Sequence, residues 1–124
     1  MTKQKICFNI KYYCRGTMKK EYNKQYCDVI FRLGYFRNKN NLSARETSLR
    51  LGLGDSYINR IERKIVELKV STLLEFLELV EVSPLEFFYP NPDNYEKDKE
   101  LLSIISTLSK ENKEALLDIA KRLK

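Results

Sequence analysis

The side chains able to do chemistry in this chain are few. Three thiols, Cys7, Cys14 and Cys27, stand in 124 residues that contain no histidine at all. The missing imidazole removes histidine-based triads, histidine general bases and nearly every catalytic zinc or iron site. The three cysteines are an odd number without Cys-x-x-Cys spacing, so they are read as reduced thiols rather than as a zinc site. No catalytic residue, metal site or cofactor is expected, and the chain is read as a non-enzyme.

Charge is the remaining chemical resource. There are 23 Lys and Arg against 17 Asp and Glu, a formal net charge of +6. Residues 1–64 hold 15 basic and 5 acidic side chains, whereas residues 65–124 hold 8 basic and 12 acidic ones. A basic front and an acidic back suit a polyanion on one face and a separate task on the other. Scattered surface lysine is the plainer alternative. No stretch of ~18 apolar residues occurs, and the lysine-broken start does not read as a signal peptide. The expected setting is cytoplasmic, without a membrane partner.

The elements that must position these charges are helical. Glycine (4) and proline (3) are scarce, which disfavours folds rich in strands and turns. Residues 1–20 stand apart: Ile6, Phe8, Ile10 and Tyr12 alternate with Cys7, Asn9, Lys11 and Tyr13 at a strand period. They are read as an N-terminal extension, disordered or produced by a start placed upstream of Met18. From Glu21 to Arg37 the apolar Tyr22, Tyr26, Val29, Ile30, Leu33 and Phe36 recur at helical spacing. Asn38, Asn40 and Asn41 should end that helix. Ser43-Ala-Arg-Glu46 is a capping box opening a short helix to Arg50, and Gly52 is free to take positive φ in the turn that follows. A third helix should run from Asp55 to Arg63 with Asp55 or Gly54 as its cap. Ser71 or Thr72 should cap a fourth, and Ser83-Pro84 should open a short fifth ending at Phe88. A linker at residues 90–95 then leads to two helices, about Glu96–Leu108 and Lys110–Leu123.

The second and third helices, joined by a glycine turn, form a helix-turn-helix pattern. In such a pair the first helix braces the second, whose N-terminal half can enter the major groove. Helical hairpins are common, so the pattern alone says little. The stretch Leu42-Ser-Ala-Arg-Glu-Thr-Ser-Leu-Arg-Leu-Gly-Leu-Gly-Asp-Ser-Tyr-Ile-Asn-Arg-Ile-Glu62 says more. It resembles the lambda-repressor-like (Cro-type) helix-turn-helix domains of phage and bacterial regulators. Val70-Ser-Thr-Leu-Leu and Val82-Ser-Pro-Leu-Glu-Phe-Phe88 fit that family's fourth and fifth helices. The resemblance spans about Val29 to Phe88. Three positions depart from the family: Ala44 replaces a usual glutamine, Thr47 a usual leucine, and Lys64 a usual glycine.

The resemblance implies an all-α fold with a five-helix DNA-binding domain over residues 21–89, and the amphipathic pattern of residues 96–124 adds a C-terminal helical hairpin. The resemblance places base readers on the early face of the third helix, at Asp55, Ser56, Asn59 and Arg60. Asn59 suits adenine N6/N7 and Arg60 suits guanine O6/N7, each as a bidentate pair. Their plainer reading is a solvated helix face, and that of Asp55 is a cap. Ser43, Arg37, Lys39, Arg45, Tyr57, Arg63 and Lys64 are the candidate phosphate contacts. Tyr57 could equally pack inward. Glu62 fits a structural glutamate tying the recognition helix to the loop behind it. Leu42, Leu49, Leu51, Ile58, Ile61, Leu73, Leu74 and Leu77 are expected in the core.

The implied function is sequence-specific binding of double-stranded DNA by a transcriptional regulator. The expected type is a phage or mobile-element repressor acting as a homodimer on a pseudo-palindromic operator. The C-terminal helices would dimerise or fold back on the domain. About 30 residues cannot build a self-cleaving protease domain, so a separate antirepressor, protease or ligand would switch it. The rival reading is an antitoxin or other protein-interaction module bound to a toxin partner.

Overall fold

The structure is a computed structural model that describes residues 22–124, so the expected N-terminal extension lies outside the described residues. Seven α-helices and one 3-10 turn occur among them, with no strand. The chain divides after Tyr89 into two compact units.

In the first unit α1 covers Lys24–Lys39, α2 Ala44–Arg50, α3 Tyr57–Glu62, α4 Val70–Val80 and α5 Pro84–Phe87. Asn23 starts α1, its side-chain oxygen accepting the Tyr26 N–H at 2.8 Å, so the helix begins three residues later than its apolar pattern suggested. Tyr22 falls outside it and stacks on Tyr26 with ring centroids 4.4 Å apart. Cys27, Ile30, Leu33 and Phe36 form the inward stripe of α1. Ile30, Leu33 and Phe36 meet Ile58 and Ile61 of α3, Phe76 of α4 and Phe87 of α5 in one apolar core. Phe36 and Phe87 bring their rings to 5.6 Å, closing the first helix on the last. Each such fully buried side chain stabilises the fold by roughly 1.5–3 kcal/mol. Two expected core residues are not there: Leu49 and Leu74 are 54% and 50% exposed. Their helices turn those positions outward. Cys27 is disulfide-bonded, which corrects the expectation of three reduced thiols.

The caps are partly as expected. Ser43 accepts the Glu46 N–H at 2.9 Å and Ser83 accepts the Glu86 N–H at 3.1 Å. Glu46 does not complete the box, because its carboxylate turns to Arg50 at 2.7 Å. Neither Ser71 nor Thr72 caps α4; Lys69 occupies that position without a side-chain bond, and Thr72 is buried.

Four helices end in one way. Asn41, Gly52, Lys64 and Glu81 all take left-handed φ values, between 55° and 72°. In each case the next residue's amide bonds back to a carbonyl of the last turn: Leu42 to Arg37, Leu53 to Ser48, Ile65 to Arg60, Val82 to Leu77. This Schellman closure satisfies carbonyls that the helix leaves unpaired. Glycine serves it only once here.

Arg32 closes the unit from inside. Its guanidinium is buried, pairs with Asp28 at 2.9 Å, and donates to the carbonyls of Phe87 at 2.8 Å and Tyr89 at 2.6 Å.

The second unit holds a 3-10 turn at Pro92–Asn94, α6 at Tyr95–Thr107 and α7 at Lys110–Arg122. Ser109 caps α7 by accepting the Asn112 N–H at 3.2 Å. Neither helix buries a residue. The acidic excess of the back half does not lie in this unit, where acidic and basic side chains balance at seven each. It lies in residues 65–89, which carry five glutamates and one lysine.

Candidate nucleic-acid interface

Helix α3 has six residues, and its amphipathicity is simple. Ile58 and Ile61 are wholly buried, while Asn59 and Arg60 are exposed. Ser56, Asn59, Arg60 and Arg63 follow at three- and four-residue steps, the spacing of one helix face. Three of the four can hydrogen-bond to a base edge, and Arg63 continues the face as a cation. Asp55 and Ser56 precede the helix instead of opening it. Ser56 holds the N-cap position without a side-chain bond, so neither residue caps α3 through its side chain. The Asp55 carboxylate lies 4.0 Å from Arg45, with both side chains largely exposed. Such a surface pair contributes ~0–1 kcal/mol.

Both ends of α3 are tied to its neighbours. At the front, the buried Ser48 hydroxyl accepts the Ile58 N–H at 3.0 Å while donating to the Ala44 carbonyl at 2.9 Å. A hydroxyl inside α2 thus satisfies an amide that the start of α3 leaves over. Thr47, where the family prefers leucine, is also fully buried and donates to the Ser43 carbonyl at 2.9 Å. The brace keeps its shape with a polar atom satisfied locally. Sequence reasoning passed over Ser48; the signal was two adjacent hydroxyl residues at inward positions of a short helix.

At the rear, Glu62 meets Arg37 of α1 in a two-pronged pair, Oε2 to Nε at 2.6 Å and Oε1 to Nη2 at 2.9 Å. The other guanidinium nitrogen donates to the Leu42 carbonyl at 2.8 Å. Arg37 therefore holds α3 and the loop before α2 in one grip. This corrects two expectations. Glu62 ties α3 to α1 rather than to the following loop, and Arg37 faces the interior of the frame instead of a phosphate. Gly34 leaves the space beside the carboxylate open, since a Cβ there would stand 3.4 Å from Glu62 Oε1.

Lys64 is likewise misplaced for a phosphate. It is 4% exposed, and burial pushes its pKa below the ordinary 10.5. Its left-handed φ of 61° shows why the family prefers glycine at this position. The exposed cations around the helix pair are Lys39, Arg45, Arg50, Arg60 and Arg63. Arg50 is engaged by Glu46. The Lys39 ammonium lies 5.9 Å from the ring centres of Tyr35 and Phe36. Ser43 is exposed, and Tyr57 is half-buried against the core. No helix among the described residues is long and apolar enough to cross a membrane.

A helix-turn-helix family model matches residues 33–87, from the middle of α1 to the end of α5. Comparison with curated proteins and with solved structures gives no match. That family is DNA-binding and regulatory rather than enzymatic, and its span here coincides with the frame that grips α3 from both ends. The match over residues 33–87 supports a lambda-repressor-like helix-turn-helix domain of the DNA-binding kind found in transcriptional regulators.

Proposed function

We propose that this protein is a sequence-specific repressor of the phage or mobile-element type, acting in the cytoplasm as a dimer on a pseudo-palindromic operator. One observation carries the reading: α3 is fixed at both ends by Ser48 and Arg37, yet shows solvent a face made of Ser56, Asn59 and Arg60. A rigid helix with an exposed amide and guanidinium suits base edges, because bidentate readout needs donors held in register. Asn59 would pair with adenine, Arg60 with guanine, and Ser56 and Asp55 would line the flank. Ser43, Lys39, Arg45, Tyr57 and Arg63 would contact phosphates. Arg37 and Lys64 are no longer in that set.

The test starts from an operator selected out of random duplexes by the full-length protein. Arg60→Ala should weaken that site by ~1–3 kcal/mol and relax one base position, while Arg63→Ala should weaken all duplexes evenly and lower the salt slope by about one. Equal losses on operator and random DNA in both variants would refute the division of roles.

Dimerisation is assigned to the second unit. Leu101, Ile104, Leu117 and Ile119 are each about half exposed on helices that bury nothing. Short amphipathic helices require a packing surface. Sedimentation of Ile104→Lys/Leu117→Lys should give a monomer with full helix content; an unchanged dimer would sink the assignment. The same apolar residues support a second reading, an antitoxin whose hairpin holds a toxin. That reading predicts a stoichiometric partner on native purification and no antirepressor.

A further inference from the structure

Four acidic side chains lie in residues 22–64, and each stands beside an arginine. Asp28, Glu62 and Glu46 hold theirs at 2.9, 2.6 and 2.7 Å. The pair of Asp55 with Arg45 differs in two ways. It is loose, at 4.0 Å, with the Arg45 side chain 72% and the Asp55 side chain 60% exposed. It also bridges the two helices of the motif: Arg45 lies in the first turn of α2, and Asp55 directly precedes Ser56, where the exposed face of α3 begins. Beside a duplex a lone carboxylate is repelled by the phosphates, so a carboxylate at this place needs a partner on the protein or on a base. A loose, exposed ion pair is weak enough to give up one partner for another.

We propose that Asp55 is a specificity-determining residue that exchanges Arg45 for a cytosine amino group, and so releases Arg45 to a phosphate only on the correct sequence. The proposal rests on the repressor reading above and deepens it by naming a base and a gate. In the major groove a carboxylate accepts from cytosine N4. Guanine and thymine present acceptors there, and adenine sets its amino group beside the N7 acceptor. Facing cytosine, Asp55 is satisfied by the N4 donor, and the Arg45 guanidinium turns to the backbone. Facing any other base, Asp55 keeps Arg45, and that cation neutralises a carboxylate instead of a phosphate. Binding to random sequence is thereby weakened, which widens the ratio between operator and random DNA. The tighter pairs are unsuited to such an exchange. Arg37 is also tied to the Leu42 carbonyl, and Glu46 and Arg50 belong to one helix.

Salt-dependent binding separates the two halves of the exchange. The full-length parent, Asp55→Ala, Arg45→Ala and the double variant are titrated at stepped salt with random duplexes and with the operator that the parent selects. On random duplexes Asp55→Ala should bind at least ~5-fold more tightly, with a salt slope steeper by about one as Arg45 is freed. The double variant should return to the parent's slope. On the operator, Arg45→Ala should lower the slope by about one. Replacing the cytosine should weaken the parent roughly 10-fold and leave Asp55→Ala unaffected. Melting temperatures should not move, because both side chains are largely exposed; a fall would mark the pair as structural and count against the exchange. An unchanged random-DNA slope in Asp55→Ala, or a steeper slope that persists in the double variant, overturns the gate. An operator without a cytosine whose effect depends on Asp55 overturns the exchange and leaves the repressor reading intact. A parent that selects no operator overturns both.

Discussion

Replacing Arg37 with alanine separates a frame residue from a phosphate clamp. The substitution removes two bonds to Glu62, at 2.6 and 2.9 Å, and one to the Leu42 carbonyl at 2.8 Å. It leaves a carboxylate whose side chain is only 20% exposed. Hydrogen bonds to charged groups are worth ~1.5–3 kcal/mol each, and breaking a fully buried pair costs ~3–5 kcal/mol. Arg37 and Glu62 keep some contact with water, and water re-enters when one is truncated, so the lower part of that range applies. We expect a loss of ~3 kcal/mol, about 10–20 °C in Tm for a domain of this size. Urea titrations of Arg37→Ala, Glu62→Ala and the double variant give the coupling directly, and it should exceed ~1.5 kcal/mol. The salt slope of DNA binding should stay unchanged, since no phosphate contact is lost. A variant of parental stability whose salt slope falls by about one would refute this reasoning and restore Arg37 to the DNA surface.

Ser48→Ala leaves the buried Ile58 amide without its acceptor, so urea denaturation should show a loss of ~1–3 kcal/mol. Glu81→Gly replaces an exposed side chain at φ 55° and should raise stability by ~1 kcal/mol; a lower melting temperature would mean that the carboxylate has a role of its own. Burial lowers the pKa of Lys64, so the unfolded chain binds more protons than the folded one just below 10.5. Parent stability relative to Lys64→Met should therefore rise with pH towards 10.5 in urea titrations at stepped pH. Burial also raises the pKa of Tyr26 above 10.0, against the smaller opposing effect of the Leu68 N–H that its oxygen accepts. That contribution is complete below pH 10 and is lost as pH climbs through the folded value, so the advantage of the parent over Tyr26→Phe should shrink there.

Local residue order dictates the helices and most of their stops. Apolar spacing from Tyr26 to Phe36 is a local property, and so are Ser43, Ser83 and Ser109, whose caps close within three residues. Asn41 and Gly52 announced their turns because both residue types tolerate positive φ. Lys64 and Glu81 gave no such notice: they adopt the same conformation only because core packing fixes where α3 and α4 must end. The exposed face of α3 was legible too, since burying Ile58 and Ile61 turns Asn59 and Arg60 outward. Which cations are available to DNA was decided only in three dimensions. Arg32 donates to carbonyls 55 and 57 residues away, Arg37 grips a glutamate 25 residues away, and Lys64 is buried, whereas Arg60 and Arg63 stay in water. Sequence counts these charges alike. Tertiary structure sorts them, because a guanidinium near a buried carbonyl or carboxylate is stabilised there only when long-range packing has already brought the two together.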